Sequence, residues 1–469
     1  MLIRSFFTNS VGTLVSRIFG FIRDVLSASI LGANIYSDIF FVAFKFPNLF
    51  RRIFAEGAFT QSFIPCFIKT PFKSLFTFRI FVQFLFFLLF FSLIVTFFSE
   101  FFAKIIALGF DSETVAISAP LVAINFFYLP LIFIVTLLGS LLQYKQHFAT
   151  TAFSTALLNI AMIGALLLFQ NYDRKSIVYA LSYGVLLGGI FQVIVHVIAI
   201  KRLRLTKIFH VGYVAYGKKE NKLLETNKQF NRSFFHSIIG NSTPQIVSFI
   251  DTTLASFLVS GSISYLYYGN RIFQLPLALF AIALTTGIFP RITRLLKNKD
   301  EEQALLLLRK GFWVLAFLLS FSTLGGYILS EEIITLLFER GSFTSEDTKQ
   351  TAFVLAMYMI GLLPFGLAKL FSLWLYATMR QKEAAKIALI ALACNLVFSF
   401  ALISRFGAGG LALAGSLSGI VLFFFTLRSF GMNRFFAILY DKKILILMTA
   451  LVIEALILTY FKEIIHGYL

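Results

Sequence analysis

Charged side chains that stand inside long apolar runs are the residues of this chain most able to do chemistry. The first run holds Arg17, Arg23 and Asp24. Arg17 and Asp24 are seven residues apart, so a helix places them on one face. Arg23 projects on the same side as Ser16 and Gly20, where a glycine lets a backbone or a head group approach closely. A charge at mid-membrane costs roughly 2.5–3.5 kcal/mol, so a helix that keeps several charges is expected to use them.

The second apolar run carries a polar stripe at helical spacing. Its members are Asp38, Lys45, Arg52 and Glu56. Arg51 and Asn48 project from another side of the same helix. Arg271 stands in a later apolar run, and Asp251 and Asn395 are polar residues inside two others.

Two interpretations of these charges are open. In the first they are structural ion pairs, such as Arg52 with Glu56, and this interpretation also applies to Asp24 and Asp38. In the second, four arginines face a central cavity and bind an anion, because the planar guanidinium donates two parallel hydrogen bonds to a phosphate. These four are Arg17, Arg23, Arg51 and Arg271. For Asp251 a helix–helix hydrogen bond is favoured over a cation site, for which Asn395 is the other candidate ligand.

Catalytic and metal sites need residue patterns that this sequence does not contain. The five histidines show no metal-ligand spacing, and there is no nucleotide-binding P-loop. Cys66 and Cys394 stand in apolar segments and form no CxxC motif. The sequence therefore predicts a transporter rather than an enzyme, with no cofactor. Coupling to the membrane potential or to a monovalent cation stays open.

The elements that position these residues are predicted to be transmembrane helices. The chain has 469 residues, 58% of them hydrophobic and 13% charged, with a mean hydropathy of +0.86, whereas soluble proteins carry about 25% charged residues. Apolar runs of about 20 residues can each cross the bilayer as a helix, and the alternation of a β-barrel is absent. We predict an all-α polytopic fold with thirteen spans. They lie near 8–32, 36–68, 78–98, 118–142, 150–170, 176–200, 232–258, 262–290, 310–330, 349–376, 384–404, 409–430 and 443–461.

The net charge of +19 follows the membrane topology. With the N-terminus and Arg4 placed in the cytoplasm, every loop that then faces the cytoplasm is basic, and the opposite loops are acidic or nearly neutral. This distribution explains the charge without a nucleic-acid partner. It predicts a multi-pass protein with a cytoplasmic N-terminus.

The spans divide into two related halves of six. A Leu-Pro pair occurs in the fourth and tenth spans, at Pro130 and Pro364, and two prolines mark both the second and the eighth. Six spans per half give both halves the same orientation and a pseudo-two-fold axis along the membrane normal. The predicted domains are an N-lobe at 1–200, a cytoplasmic linker at 201–231, a C-lobe at 232–430 and an extra C-terminal helix within 431–469.

Two segments resemble the MurJ/MviN family of lipid II flippases. Residues 16–24 read SRIFGFIRD, and residues 38–65 read DIFFVAFKFPNLFRRIFAEGAFTQSFIP. Shorter similarities follow at 267–271, 339–344 and 375–377. The resemblance implies the fold of the multidrug/oligosaccharidyl-lipid/polysaccharide (MOP) exporters. It also implies that the four arginines line a cavity for the diphosphate head group, with Asp24, Asp38 and Glu56 in supporting or gating positions.

The resemblance further implies the activity. A family member flips lipid II, the undecaprenyl-diphosphate-linked peptidoglycan precursor, from the cytoplasmic to the periplasmic leaflet of the bacterial inner membrane by alternating access. The expected partners are lipid II, membrane lipids and cell-wall synthesis enzymes. Two alternatives remain: another MOP-type exporter of polyprenyl-linked oligosaccharide, and a polytopic peptidoglycan glycosyltransferase. Members of the family often have two helices after the core, whereas this sequence has room for one.

Overall fold

The chain is helical throughout the parts that can be described. The computed structural model describes the backbone of residues 2–53, 58–217, 223–241 and 243–468, and the side chains of residues 11–51, 58–217, 223–237 and 245–464. Within these ranges there is no β-strand. The helices are α1 (Leu2–Leu31), α2 (Ile35–Ala43), α3 (Lys45–Ile53), α4 (Phe59–Lys69), α5 (Lys73–Phe97), α6 (Ser99–Ile106), α7 (Ser112–Phe126), α8 (Tyr128–Tyr144), α9 (Ala149–Phe169), α10 (Arg174–Arg202), α11 (Thr206–Ala215), α12 (Leu224–Asn241), α13 (Thr243–Ala255), α14 (Ser262–Pro276), α15 (Ala283–Lys297), α16 (Glu301–Ile328), α17 (Ser330–Phe338), α18 (Ser345–Met359), α19 (Leu362–Ala377), α20 (Gln381–Phe430), α21 (Met432–Leu439) and α22 (Lys443–Tyr468).

The predicted fold class, an all-helical polytopic membrane protein, is confirmed, but the count of thirteen spans is not. Nine helical stretches of the described chain are long and apolar enough to cross a bilayer. The charged helix α1 is not one of them. The predicted second span is divided among the short helices α2, α3 and α4. The eleventh and twelfth predicted spans, 384–404 and 409–430, both lie in α20. This stretch is two helices joined at Gly407, where φ of 52° and ψ of −130° are not helical.

Prolines divide two of the long stretches at equivalent places. The break between α7 and α8 falls at Phe127, three residues before Pro130, and the break between α18 and α19 falls just before Pro364. A proline inside a helix removes a hydrogen bond and clashes with the carbonyl four residues earlier. Both stretches also begin with a capped end. Asp111 accepts a hydrogen bond from the Thr114 amide at 2.8 Å, and Thr344 forms a capping box with Asp347. The two stretches thus share one local construction.

The chain forms two compact units, Met1–Phe257 and Leu258–Leu469. Helices α12 and α13 pack within the first unit. The ring of Phe230 on α12 lies 5.7 Å, centroid to centroid, from that of Phe59 on α4. After α13, the Ser256 hydroxyl accepts a hydrogen bond from the Gly109 amide at 2.9 Å.

The predicted cytoplasmic linker, 201–231, is also built into the first unit. It contains α11 and the start of α12, and α11 packs on α5 with Gly212 against the main chain of Ser74. The predicted lobes, 1–200 and 232–430, were drawn from the hydrophobic pattern of the sequence. These boundaries remain a prediction.

Small residues allow close packing in both units. In the first, Gly12 of α1 lies against Ala152 of α9, and Gly188 of α10 lies against Leu158. In the second, Ser416 of α20 lies against Gly361 and donates a 2.6 Å hydrogen bond to the Met357 carbonyl. Without a hydrophobic driving force between helices in lipid, such close approach and such hydrogen bonds supply the association energy.

The Gly109–Ser256 contact generates a stability prediction. A Cβ at Gly109 would overlap the main chain of Ser256 and Phe257, so Gly109→Ala is expected to destabilise the protein by about 1–3 kcal/mol. The matched control is Gly164→Ala in α9, where a Cβ would meet nothing within 4 Å and where helix propensity favours alanine by about 0.5–1 kcal/mol. Thermal unfolding of the purified variants measures both effects. Equal melting temperatures would contradict the assignment of α13 to the first unit.

Candidate functional site

Arg23 of α1 is locked inside the first unit. Its Nη2 atom lies 2.6 Å from Oδ1 of Asp24, and its Nη1 donates to Oδ1 of Asn159 on α9 at 3.0 Å. Arg23 is 8% exposed and Asp24 is 1% exposed. A buried ion pair offsets the cost of burying its charges more fully when further hydrogen bonds accompany it, and Asn159 supplies one such bond to Arg23. Arg23 and Asp24 therefore form an ion pair in the structure, which was the first of the two interpretations open from the sequence.

The side-chain amide of Asn159, on α9, contacts α1 through both its oxygen and its nitrogen. Its Nδ2 atom donates to the main-chain carbonyl of Ser16 at 3.2 Å, while its oxygen accepts from Arg23. Gly20 is buried on the helix between Ser16 and Arg23. One neutral side chain thus holds both the backbone of α1 and its buried cation.

Arg17 differs from Arg23 although both stand on α1. Its side chain is exposed, and within the described residues it forms no ion pair. Its neighbour Ile18 is also exposed, at 50%. An exposed guanidinium in a helix of this composition faces either water or lipid, and water is far less costly.

Helices α2 and α3 carry the polar stripe in two separate environments. Asp38, in the first turn of α2, is 2% exposed. Arg51 on α3 is half-buried, and its Nε and Nη2 atoms donate to Oδ1 of Asn48 at 3.2 and 3.0 Å. Since Asn48 is neutral, it orients the guanidinium without cancelling its charge. The predicted Arg52–Glu56 pair lies outside the described side chains.

Lys45 reaches from α3 to α13. Its Nζ donates to the Ser248 hydroxyl at 2.8 Å, and its charge also acts on the carboxyl of Asp251, one turn farther along α13. The Oδ1 atom of Asp251 is buried and accepts no hydrogen bond from the described part of the chain. The helix–helix hydrogen bond favoured for Asp251 is therefore not formed at this oxygen.

The second unit holds the remaining predicted residues. Arg271 is half-buried on α14, where its neighbour Asn270 accepts a hydrogen bond from Gln274. Asn395 on α20 is completely buried, and neither atom of its amide has a hydrogen-bond partner among the described residues. Asp251 belongs to the first unit and Asn395 to the second. Each is therefore considered separately as a candidate ligand of a cation.

Lys369 is a charged residue that the sequence analysis missed. It stands in the middle of α19, is exposed, and forms no ion pair within the described chain. Lys369 is a charge inside an apolar run, and the same pattern identified the arginines. Among the lysines inside apolar runs only Lys45 was named, and the phosphate ligands were expected to be arginines.

Each unit carries cations that suit an anion. Arg17 and Arg51 lie in the first unit and Arg271 and Lys369 in the second. No carboxylate in the described residues forms an ion pair with Arg17 or Lys369. Guanidinium and ammonium groups in such surroundings bind phosphate oxygens strongly. No group of three potential metal-ligating side chains occurs in the described part of the molecule.

Comparisons with known proteins agree with one another. Residues 27–469 match the model of a protein family described as "Lipid II flippase MurJ". A relative from Helicobacter pylori named "Probable lipid II flippase MurJ" is 48% identical over 454 residues, which cover 95% of this chain and 98% of the relative. A relative of the same name from Buchnera aphidicola is 32% identical over 93% of this chain and 84% of its own length.

Solved structures show the same fold. A structure described as "Lipid II flippase MurJ, inward closed conformation" aligns with a TM-score of 0.77 at 24% identity, over 97% of this chain and 99% of that one. An inward-facing multidrug transporter of the MATE family, in the MOP superfamily, aligns with a TM-score of 0.68 at 9% identity, over 92% and 98%. At these identities the likeness is one of fold alone.

The Arg23 contacts predict a charge-balance effect. Arg23→Gln leaves Asp24 buried without its cation and is expected to cost about 3–5 kcal/mol of stability. The double variant Arg23→Gln/Asp24→Asn removes both charges and should recover most of the lost melting temperature. Fluorescence-detected size-exclusion after heating measures this directly. A double variant no more stable than Arg23→Gln would show that the pair is not what holds α1 to α9.

Proposed function

The chain belongs to the lipid II flippase MurJ family, and from this premise we propose that it flips lipid II, with cations on its helices holding the diphosphate. It is a multi-pass membrane protein, and we place it in the bacterial inner membrane with its N-terminus in the cytoplasm, because that orientation leaves the basic loops on the cytoplasmic side.

The unequal pairing of the cations in the first unit carries the proposal. Arg23 is neutralised by Asp24 and serves to set α1 on α9. Arg17 is exposed without an ion pair in the described residues, and Arg51 is oriented by a neutral amide. Arg17 therefore keeps its positive charge for a ligand, and the diphosphate of lipid II supplies negative charge that would neutralise it.

Arg271 and Lys369 give the second unit its own cations. Both stand inside long apolar stretches, Ser262–Lys297 and Ser345–Ala377. Head-group oxygens can therefore be held by either unit, while the undecaprenyl chain stays in the lipid. We propose that binding neutralises repulsion among the cations and so permits the conformational change of alternating access.

The membrane potential favours this direction of transport. An anion that moves outward across a membrane that is negative inside gains about 2.3 kcal/mol per charge per 100 mV. The same potential favours the return of an empty, positively charged site. Enzymes that make or use lipid II are the partners we propose, since one face must supply the substrate and the other must consume it.

The substrate role is tested by removing each cation separately. Arg17→Ala, Arg51→Ala, Arg271→Ala and Lys369→Ala should each lower lipid II flipping by about tenfold or more, the effect of about 1.5–3 kcal/mol for a charge-assisted hydrogen bond. The assay is lipid II accessibility at the outer leaflet of flippase-depleted cells, with membrane abundance measured alongside. The control is Arg174→Ala, at the exposed start of α10. Full flipping by well-expressed variants would remove these residues from the site.

Coupling to a monovalent cation is a second, separable proposal. Asp251 has a buried carboxylate oxygen and Asn395 a buried amide, both without hydrogen-bond partners in the described chain, and oxygen atoms of this kind are the ligands of hard cations. In proteoliposomes with an imposed potential, Asp251→Asn or Asn395→Leu should abolish any dependence of flipping on sodium or potassium. Dependence on the potential should remain. A sodium response unchanged in both variants would leave the potential as the sole driving force.

A further inference from the structure

A basic cavity lies within the second unit, away from the residues proposed to hold the substrate. It has a volume of about 700 Å³, within the range of roughly 300–1,000 Å³ usual for ligand sites. Its lining comes from the ends of α15 and α19 and the starts of α16, α20 and α21. The charged residues of the lining are Lys297, Lys299, Arg380, Arg434 and Glu301.

The charges of this cavity do not cancel. Arg434 forms an ion pair with Glu301 at 2.5 Å, and Arg380 forms one with Glu383 at 2.5 Å. Lys297 and Lys299 are exposed and form no ion pair within the described chain. Two positive charges are thus left for a ligand, and the two paired arginines lie in the same wall.

An aromatic side chain fixes the position of one of these cations. The guanidinium of Arg434 stands 5.3 Å from the ring centre of Trp374, a cation–π contact. Arg380 is held on its other side by Ser429, whose main-chain oxygen accepts from Nη1 at 3.0 Å. The arginines are therefore preorganised, whereas the lysines are free to adjust to the ligand.

Two tight turns form the rim of the cavity. Lys299, between α15 and α16, and Met379, between α19 and α20, both have left-handed backbone conformations, with φ of 62° and 61°. Each turn is closed by a hydrogen bond that satisfies the end of the preceding helix, from Asp300 to Leu295 at 3.0 Å and from Arg380 to Leu375 at 2.8 Å. The rim therefore has a defined shape.

The surroundings of the cavity indicate that its ligand is a lipid. Met379 at the rim is 78% exposed, and the short helix α21, which carries Arg434, exposes Phe436 at 54%. Tyr440, just after α21, is 94% exposed. Basic residues next to exposed aromatic and apolar side chains on a short helix are typical of the headgroup boundary of a bilayer.

We propose that this cavity binds the phosphate headgroup of an anionic phospholipid. The helix ends around it are those predicted to face the cytoplasm, where the leaflet carries anionic lipids and where basic pockets between helices bind their headgroups. The site braces the ends of five helices of the second unit. It does not depend on the flipping mechanism, and its test measures lipid binding without transport.

The test uses Trp374 as the reporter. The chain has two tryptophans, so Trp313→Phe leaves Trp374 alone. The full-length protein is reconstituted with phosphatidylglycerol or phosphatidylcholine brominated on the acyl chains, at equal mole fractions. We expect stronger quenching by the anionic lipid. In Lys297→Gln/Lys299→Gln this preference should fall by about thirtyfold, which corresponds to roughly 1 kcal/mol for each of the two basic residues removed.

Two controls make the outcome decisive. Lys201→Gln/Arg202→Gln removes two exposed basic residues from the last turn of α10 and should leave the preference unchanged. In the otherwise unaltered chain, phosphatidylglycerol should raise the melting temperature more than it does in Lys297→Gln/Lys299→Gln, a readout that does not need Trp313→Phe. An equal loss in both double variants, equal quenching by both lipids, or a thermal shift reproduced by inorganic phosphate alone would overturn the proposal.

Discussion

A charge inside a bilayer must be either neutralised by a partner or kept in contact with water, and this constraint organises the functional part of the molecule. Arg23 meets it by pairing with Asp24 and by donating to Asn159. Arg17, on the same helix, meets it by exposure. The two arginines are six residues apart and have the same chemistry, yet one holds a helix in place and the other remains available to a ligand.

The same constraint explains why neutral polar residues stand beside the cations. Asn48 orients Arg51, Ser248 accepts from Lys45, and Asn159 accepts from Arg23. A carboxylate in place of Asn48 would bind Arg51 more strongly and would also reduce the positive charge that an anionic substrate needs. Amides and hydroxyls fix the geometry at a lower electrostatic cost, which suits a site that must release its ligand.

Much of this could be predicted from the sequence, because the signals are local. Apolar runs predict membrane helices, and charges within them predict the candidate site. The partner of Arg23 on α9 could not be predicted, since Asn159 is 136 residues away and no local pattern connects them. The break at Gly407 falls between the predicted spans 384–404 and 409–430. The breaks before Pro130 and Pro364 follow from proline chemistry but lie inside the single predicted spans 118–142 and 349–376. Lys369 was missed although it carries the same signal as the arginines, a charge inside an apolar run.

The excess of basic residues therefore serves more than one physical purpose. Loop lysines and arginines carry the predicted orientation of the chain, and cations within the spans carry the proposed recognition of a diphosphate. Those at the ends of α15, α19 and α21 belong to neither group fully, because they stand at the membrane surface yet line a shaped cavity beside Trp374. A residue that only oriented a helix would need no such cavity and no stacking partner. The preorganised Arg434 is the observation that favours the proposed lipid site over a general surface charge.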